Sequence, residues 1–282
     1  MKSNSLVSIV VPCYNGGQFI AETINSVLKQ TYPTIELIII NDGSTDDSLV
    51  VINKFNEDRI VLIDKENSGV SDSRNVGLKA SKGEFILFLD ADDLIQENFI
   101  ERSISFFDLH PEIDFLTTAI DQIDENSLEI KNSVELKGTY QNVQYEIASF
   151  QLNISTCPSA YIFRKSKLVS NGILFNSSLS SPADRYYLLE VGAYLKGALL
   201  TNNKLKYRVH ANSMSQLKNK KLIVDQENYL EHTLKNKIIA SRRTNNLFKR
   251  KLCYQLFVDY AKMFHFKKAF KYGGKFLLSY VF

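Results

Sequence analysis

The first 120 residues alternate between short, mostly apolar runs and segments whose apolar residues recur at helical spacing. The runs predict strands at residues 8–11, 35–40, 60–63 and 84–89, and the continuous run at 35–40 is typical of a strand buried on both faces of a parallel sheet. Helices are predicted between them, over residues 18–30, from the turn at 42–47 to Phe55, and over 71–81. Strands separated by helices of this length predict βαβ units with right-handed crossovers. We therefore expect an α/β fold with an open, mixed, mainly parallel sheet flanked by helices.

The pattern is less regular after this region. Residues 121–160 show no clear periodicity, whereas a helix is predicted over 183–195 and a strand with a turn over 198–210. Residues 221–282 are predicted to be helical, and the chain has neither an internal repeat nor a low-complexity linker. We expect one domain over residues 1–215, with halves at 1–110 and 111–215, and a helical extension over 216–282.

Charge is distributed unevenly between these two parts. Residues 216–282 contain 15 Lys and Arg against 4 Asp and Glu, whereas residues 1–215 contain 19 against 27. The acidic first part argues against nucleic acid as the ligand of the folded domain. The basic extension has two interpretations: peripheral attachment to an anionic membrane, or a helix pair that packs its apolar stripe on the body of the protein.

The hydrophobic fraction of 44% is sufficient for a large core. No apolar run approaches the roughly 18 residues of a membrane-spanning helix, and the N-terminal residues lack the pattern of a secretory signal. The three cysteines (Cys13, Cys157 and Cys253) are far apart and include no CxxC pair. They predict neither a disulfide framework nor a zinc ribbon, so we expect a cytoplasmic protein.

Polar residues follow each of the four predicted strands. These segments are residues 12–17, 41–44, 67–69 and 90–93. Each segment alone is compatible with a turn or a helix cap. Because ligands of an open parallel sheet bind at the carboxyl ends of its strands, the four segments together predict a polar ligand site at one edge.

The fourth segment, Asp90-Ala91-Asp92-Asp93, carries the strongest chemical signal. On extended backbone, Asp90 and Asp92 would point to the same side, where two carboxylates repel each other unless a cation lies beside them. Oxygen ligands of this type favour Mn²⁺ or Mg²⁺, which proteins commonly share with substrate phosphates. The alternative is a solvated acidic turn. Neither a P-loop nor a dinucleotide-binding fingerprint is present.

Several segments together resemble family 2 glycosyltransferases. The resemblance is dense between residues 6 and 110 and has a further piece near residue 210. It is carried by SIVVPCYN (8–15), QTYP (30–33), ELIIINDGSTD (36–46), NSGV (67–70), RNVG (74–77), GEFILFLDADD (83–93) and YRVHANSMS (207–215).

The resemblance implies a GT-A fold and inverting transfer of a sugar from a nucleotide-diphosphate sugar, with a UDP-sugar favoured. A saccharide or lipid-linked hydroxyl would be the acceptor, in the synthesis of a cell-surface polysaccharide or glycolipid. Residues 90–92 would form the DXD motif, in which Asp90 faces the ribose and Asp92 binds the metal. His210 would complete the metal shell or lie near the diphosphate. The other residues implied in nucleotide-sugar binding are Pro12, Tyr14, Asn15, Asp42 (to the base), Asn67, Arg74 (near the base or diphosphate) and Ala91.

The resemblance also implies a catalytic base near the start of a later helix. The matching stretch, residues 181–186, has Ala183 where the family usually has a glutamate, and Asp184 follows it. Asp184 is therefore the candidate base, although an acidic residue there also favours a helix N-terminus through the dipole. Glu190 is the rival carboxylate, about 120° away around the helix.

Two other classes remain as alternatives. A sugar-phosphate nucleotidyltransferase would also use a carboxylate-bound metal, but such enzymes usually have a basic residue after the first strand, and residues 12–17 contain none. A non-catalytic membrane-binding module would depend on the basic extension alone.

Overall fold

The computed structural model describes residues 4–131, 143–150, 155–180, 182–211 and 220–279. It divides into two compact units, which we call the sheet unit and the helical unit. The sheet unit comprises Met1–Gln141, Cys157–Ser177 and Leu195–Ala211, and the helical unit comprises Asn142–Thr156, Ser178–Tyr194 and Asn212–Phe282. The domain boundary predicted at residue 215 falls among residues 212–219, outside the described residues, and stays a prediction.

The first half of the sheet unit confirms the predicted βαβ pattern. Strands β1, β2, β3 and β4 pair in parallel in the order β3-β2-β1-β4. Helix α3 packs so closely on β1 at Gly77 that a Cβ there would collide with the side chain of Val10. The elements are β1 (Val7–Cys13), α1 (Ile20–Leu28), β2 (Ile35–Asp42), α2 (Ser48–Ile52), β3 (Ile60–Lys65), α3 (Val70–Ala80) and β4 (Phe85–Phe88).

The second half of the sheet unit makes the sheet mixed. Strand β8 pairs antiparallel with both β4 and β6, and β9 pairs parallel with β6. Strand β5 closes the order as the antiparallel neighbour of β9, and β7 pairs with β6. The elements are β5 (Leu94–Ile95), α4 (Phe99–Leu109), β6 (Phe115–Ile123), β7 (Glu129–Lys131), β8 (Tyr161–Arg164), α6 (Lys165–Ser170) and β9 (Gly197–Arg208).

The helical unit contains α5 (Val143–Ala148), α7 (Ala183–Tyr194), α8 (Lys220–Lys235), α9 (Arg242–Lys262) and α10 (Phe266–Leu278). The predicted helical C-terminal region is confirmed. Its helices α8 and α9 pack on α5 and α7. The Tyr229 ring lies edge-on to Tyr186 at 6.5 Å and to Phe248 at 5.3 Å. The Gln144 amide donates to the carbonyl oxygens of Leu189 and Ile238. No helix in the described part of the chain combines the length and apolarity needed to cross a bilayer.

Candidate active site

The loops that follow β1 and β2 are tied together by hydrogen bonds. The Asn15 backbone, at φ 51°, donates to Ser44 Oγ over 3.0 Å, and Asn15 Oδ1 accepts from the Thr45 backbone over 2.8 Å. Pro12 is buried in β1, whereas the Tyr14 side chain is 54% exposed. The side chain of Asn15 thus fixes the loop geometry beside the exposed Tyr14 ring.

Asp42, at the end of β2, is a buried carboxylate with three protein donors. Its oxygens accept from Lys65 Nζ, from the Ser68 backbone at 3.0 Å and from the Gly69 backbone at 2.9 Å. Burial alone raises the pKa of Asp42, but these donors outweigh it and hold the pKa below its ordinary value. Asp42 is therefore a fixed, charged acceptor.

Asn67 lies beside Asp42 because the loops after β2 and β3 approach closely. Gly43 has φ 66°, and a Cβ there would lie 2.8 Å from the Asn67 backbone nitrogen. Any other side chain would be strained in this backbone conformation and crowded by the neighbouring loop. The close approach keeps the exposed Asn67 at the same sheet edge as Asp42.

The segment 90–93 is a tight turn, so the expectation of extended backbone with alternating side chains is wrong. The Asp93 backbone donates to the Asp90 carbonyl over 3.1 Å. The chain turns here because it passes directly from β4 into β5, which pairs with β9. Thr23 Oγ1 donates to the Ala91 carbonyl over 2.8 Å and fixes the middle of the turn.

Arg74 holds the first carboxylate of this turn. Its Nη2 lies 2.7 Å from Asp90 Oδ1, and its guanidinium is 5.0 Å from the centre of the Phe175 ring. The Arg74 side chain is only 3% exposed, whereas that of Asp90 is 28% exposed. The Asp90 backbone also donates to Ser159 Oγ over 3.0 Å. Asp90 is therefore oriented by the protein and still open to a ligand.

Asp92 and His210, the two predicted metal ligands, are adjacent although 118 residues separate them in the sequence. Asp92 Oδ2 lies 3.0 Å from His210 Nε2, and the His210 ring packs on Phe19 at 4.9 Å. Burial and the charge of Asp90 raise the pKa of Asp92, and His210 offsets this only in part. A positive charge at this position would therefore stabilise the ionised carboxylate.

Sequence reasoning did not assign a role to Arg208 or Asp93, which support the turn. Arg208 is 1% exposed; its backbone donates to Asp93 Oδ1 over 3.0 Å and its Nε to the Asp92 carbonyl over 2.8 Å. Its Nη2 also pairs with Glu22 at 3.0 Å. Burial, with the nearby charges of Asp92 and Asp90, raises the pKa of Asp93 well above its ordinary value. The signal in the sequence was the position of Arg208 two residues before His210.

Two donor sets in this region differ in how well they suit a hard divalent cation. Among the described residues, the ligand atoms of Asp90, Asp93 and Cys157 all lie within 4.8 Å of one another. Asp93 is completely buried and already bonded to Arg208, and a thiol favours softer metals. The partly exposed Asp92 carboxylate and the His210 imidazole beside it are donors of the type that Mn²⁺ accepts in proteins.

A groove of about 970 Å³ lies elsewhere on the sheet unit, between α1, β5 and β9. Charged residues of both signs line it, among them Glu22, Lys29, Arg102 and Lys204, and no predicted site residue does. The fixed carboxylates of Asp42 and Asp90 lie instead at the carboxyl edge of β1–β4.

The candidate base Asp184 lies in the first turn of α7, as predicted. The helix start is fixed by the Tyr186 backbone, which donates to the Pro182 carbonyl over 2.9 Å. Ser181 of the same stretch lies outside the described residues, as do residues 212–215 of the motif that contains His210. Burial raises the pKa of Glu190 to about 7. Since a general base works best with a pKa near the working pH, Glu190 remains the alternative to Asp184.

The family model for glycosyl transferase family 2 matches residues 8–169, more than half of the chain. The chain belongs to this family. The match covers the elements from β1 to most of α6, including Asp42, Arg74 and the 90–93 turn. Asp184 and His210 lie beyond the matched residues.

Individual relatives agree with this membership. Glycosyltransferase GlyG of Streptococcus pneumoniae is 41% identical over 101 residues, which is 35% of this chain and 34% of GlyG. WfgD of Escherichia coli is 38% identical over 139 residues, 49% of this chain and 54% of WfgD. WfgD is named a UDP-Glc:alpha-D-GlcNAc-diphosphoundecaprenol beta-1,3-glucosyltransferase. The chain thus spans between a third and about half of the length of these relatives.

A solved structure confirms the fold. S. aureus TarS 1-349 in complex with UDP-GlcNAc superposes with a TM-score of 0.73 at 22% identity, covering 97% of this chain and 81% of that chain. The expected GT-A-type fold is therefore present.

Proposed function

We propose that this chain transfers a sugar from a UDP-sugar to a hydroxyl group of a saccharide or lipid-linked acceptor, with inversion at the anomeric carbon. The reaction would serve the synthesis of a cell-surface polysaccharide or glycolipid on the cytoplasmic side of the membrane. The observation that carries the proposal is the 90–93 turn, in which Asp92 lies 3.0 Å from His210 and Asp90 accepts a hydrogen bond from Arg74.

The donor would bind along the carboxyl edge of β1–β4. Asp42 keeps about one of its four acceptor positions after its three protein bonds, enough for one hydrogen bond from a base N–H. The exposed Tyr14 ring beside Pro12 offers a stacking surface for the base, with Asn15 and Asn67 on the adjoining loops. Asp90 would accept from the ribose, and Ala91 leaves room beside it because its side chain is small.

Asp92 and His210 would hold a Mn²⁺ or Mg²⁺ ion. The chemical fit is the partly exposed Asp92 carboxylate, which is destabilised by the nearby charge of Asp90 and has the His210 imidazole at 3.0 Å. When bound, such a cation neutralises charge that develops on the departing diphosphate. Arg74 restrains Asp90, so the two carboxylates stay in a fixed relation to each other.

In the proposed reaction, an acceptor hydroxyl oxygen forms a new bond to the anomeric carbon as the bond from that carbon to the diphosphate oxygen breaks. The bonding electrons leave with the nucleoside diphosphate, and the hydroxyl proton passes to Asp184, which acts as general base. One displacement of this kind inverts the configuration at the anomeric carbon.

The relatives support the donor and acceptor classes. The name of WfgD specifies UDP-Glc as donor and a diphosphoundecaprenol-linked saccharide as acceptor. TarS has been solved with UDP-GlcNAc and with UDP. We therefore favour uridine as the base, and the sugar is left to the experiment.

The test is thermal stabilisation of the full chain by UDP-glucose, UDP-GlcNAc, GDP-mannose and dTDP-glucose, each with Mn²⁺ and with EDTA. A ligand that binds only the native state raises the melting temperature. We expect a shift with one UDP-sugar and Mn²⁺, and a smaller shift or none with EDTA. Slow release of UDP from the stabilising donor would then establish that the donor bond is cleaved.

Four results would contradict parts of the proposal. No shift with any nucleotide-sugar would reject the donor site, and a shift with GDP-mannose alone would reject uridine. Equal shifts in Mn²⁺ and EDTA would reject the metal site. Release of pyrophosphate from UTP and a sugar phosphate would indicate a nucleotidyltransferase.

A further inference from the structure

Helix α10 has one face packed within the helical unit. Tyr272 stacks on Tyr260 of α9 at 6.0 Å, and Phe276 packs on Tyr254 at 5.4 Å. A Cβ at Gly273 would lie 3.2 Å from Phe257, so the two helices approach closely at this residue. With Phe266 taken as 0° around the helix axis, the residues in these contacts lie between about 240° and 340° and form the packed face of α10.

A second face of α10 is apolar and exposed. Phe266, Phe270 and Leu277 fall within about 40° of one another around the helix. They are 57%, 75% and 65% exposed, and Phe264, just before the helix, is 79% exposed. We call these four residues the apolar stripe. Single exposed apolar side chains are ordinary, but a contiguous row on one helix face marks an interaction surface.

A third face of α10 is basic. Lys267, Lys271 and Lys275 are exposed and fall within about 80° of one another, next to the apolar stripe. No carboxylate among the described residues pairs with these three, whereas Lys268 is paired with Glu227 at 2.9 Å. Residues 242–279 as a whole contain ten Lys and Arg and one acidic residue, Asp259. The partner of this surface must therefore tolerate or require positive charge.

We propose that the apolar stripe and the three lysines of α10 dock on an anionic lipid bilayer, with the helix lying in the plane of the interface. A bilayer supplies both complements at once, hydrocarbon for the stripe and phosphate headgroups for the lysines. The helix has 13 residues and is about 20 Å long, too short to cross a hydrocarbon core of about 30 Å. A nucleic-acid duplex would satisfy the lysines but leave the phenylalanines in water.

The order of faces around the helix supports this orientation. The packed face holds α10 on α9, so binding needs no unfolding of the helical unit. The apolar stripe adjoins the packed face, and the lysines adjoin the stripe on its other side. A helix that lies at an interface needs this sequence of faces, because its charged residues must stay at headgroup level while its apolar residues enter the acyl region.

The experiment is sedimentation of the full chain with vesicles of phosphatidylcholine alone and of phosphatidylcholine mixed with phosphatidylglycerol, at 50 mM and 500 mM salt. No nucleotide-sugar is present, so the result is independent of the proposed activity. We expect binding to the anionic vesicles that weakens at high salt, because exposed charges are screened within about 10 Å or less. Binding to phosphatidylcholine alone should be much weaker.

Two sets of variants separate the contributions. Phe266→Ser with Phe270→Ser should lower vesicle affinity by about tenfold or more, from lost apolar burial. Changing Lys267, Lys271 and Lys275 to Gln should lower it by about fivefold for each lysine. The matched controls lie on the sheet unit: Leu109→Ser with Val169→Ser, and Lys54, Lys79 and Lys82 to Gln. All of these side chains are exposed, and the controls should bind vesicles like the unaltered chain.

Three outcomes would overturn the proposal. The first is no binding of the unaltered chain to anionic vesicles at 50 mM salt. The second is loss of binding with the lysine variant but not with the phenylalanine variant, which would indicate attraction to any polyanion. The third is a dimer in sedimentation equilibrium that the phenylalanine variant dissociates, with no vesicle binding, since a second copy would then cover the stripe. Unchanged circular dichroism of each variant establishes that the helices are intact.

Discussion

The sheet unit and helix α10 of the helical unit differ in whether their charged side chains have bonded partners. At the carboxyl edge of the sheet unit, Asp42, Asp90 and Asp93 are each bonded to a backbone N–H or a basic side chain. In the helical unit, the lysines along one face of α10 have no carboxylate partner among the described residues. Because the carboxylates of the sheet unit are already oriented, less free energy is lost in ordering them when a ligand binds. The lysines of α10 are left available to a large, diffuse counter-charge.

Within the sheet unit the same contrast separates two carboxylates. Asp42 receives three protein donors and has a lowered pKa, whereas burial and the charge of Asp90 raise the pKa of Asp92. Asp42 already has a basic partner, whereas a further positive charge would stabilise the ionised form of Asp92. In the proposed function, the β2 end would therefore position a neutral part of the donor, and the 90–93 turn would hold the charged part.

The largest effect should come from Asp92→Ala. We expect transfer to fall by about 10³-fold or more, because the charge on the departing diphosphate loses its stabilisation. The Mn²⁺-dependent part of the thermal shift by the donor should also disappear. Both are measured with the stabilising UDP-sugar, by UDP release and by melting temperature.

Asp58→Ala is the control for this variant, since Asp58 is an exposed carboxylate before β3. It should behave like the unaltered chain in both measurements. Near-normal transfer by Asp92→Ala at limiting Mn²⁺ would show that the metal assignment is wrong.

The next effect concerns the helical unit. Asp184→Asn should lower kcat by about 10²- to 10⁴-fold, the usual contribution of a general base. Donor affinity should barely change, because the donor is held by the strand ends of the sheet unit. The measurement is kcat together with the dissociation constant of the donor. A normal kcat would mean that Asp184 serves only the helix N-terminus.

The sequence predicted the parallel half of the sheet unit well, because that half is encoded locally. Strands β1, β2 and β4 are each built around an apolar run, and a turn segment follows each of them. In a parallel sheet, those turn segments meet at one edge whatever the details of packing. Asp42 and the 90–93 turn could therefore be predicted to lie at a shared edge before any coordinates.

The remainder depends on contacts between residues distant in sequence. The antiparallel strand β8 is four residues long, and its place between β4 and β6 leaves no periodic signal. The support that Arg208 gives to the turn joins residues 116 positions apart. The extended conformation expected for residues 90–93 was wrong because the pairing of β5 with β9 requires the chain to turn.

A smaller effect should follow Asp42→Asn. The Asn amide cannot accept from every donor that Asp42 serves, and Lys65 loses one of its two carboxylate partners, so we expect a loss of about 1–3 kcal/mol of stability. The pKa of Asp42 is lowered in the folded chain, so its contribution to stability is full above pH 3.8, its ordinary value. That contribution disappears as the pH falls through the lower pKa of the folded state. Melting temperatures of both proteins at pH 7 and near pH 3 measure this.

Asp42→Asn also separates the two carboxylate regions. Donor binding should weaken but remain dependent on Mn²⁺, in contrast to Asp92→Ala. Loss of the Mn²⁺ dependence in Asp42→Asn would mean that the two strand ends act as one charged site.

The smallest effect on activity should be that of Glu190→Gln, which nevertheless tests the base assignment most directly. Burial raises the pKa of Glu190 to about 7, so the folded state favours the protonated carboxyl. Stability from this group is full below pH 4.5, its ordinary value, and is lost as the pH rises through about 7. Glu190→Gln removes the cost of ionisation, so its melting temperature should exceed that of the unaltered chain at pH 8 and match it near pH 4.5. The kcat of Glu190→Gln should stay within about twofold of normal if Asp184 is the base. If kcat instead falls steeply, and a rise in kcat through pH 7 disappears with it, Glu190 is the base and the assignment of Asp184 is wrong.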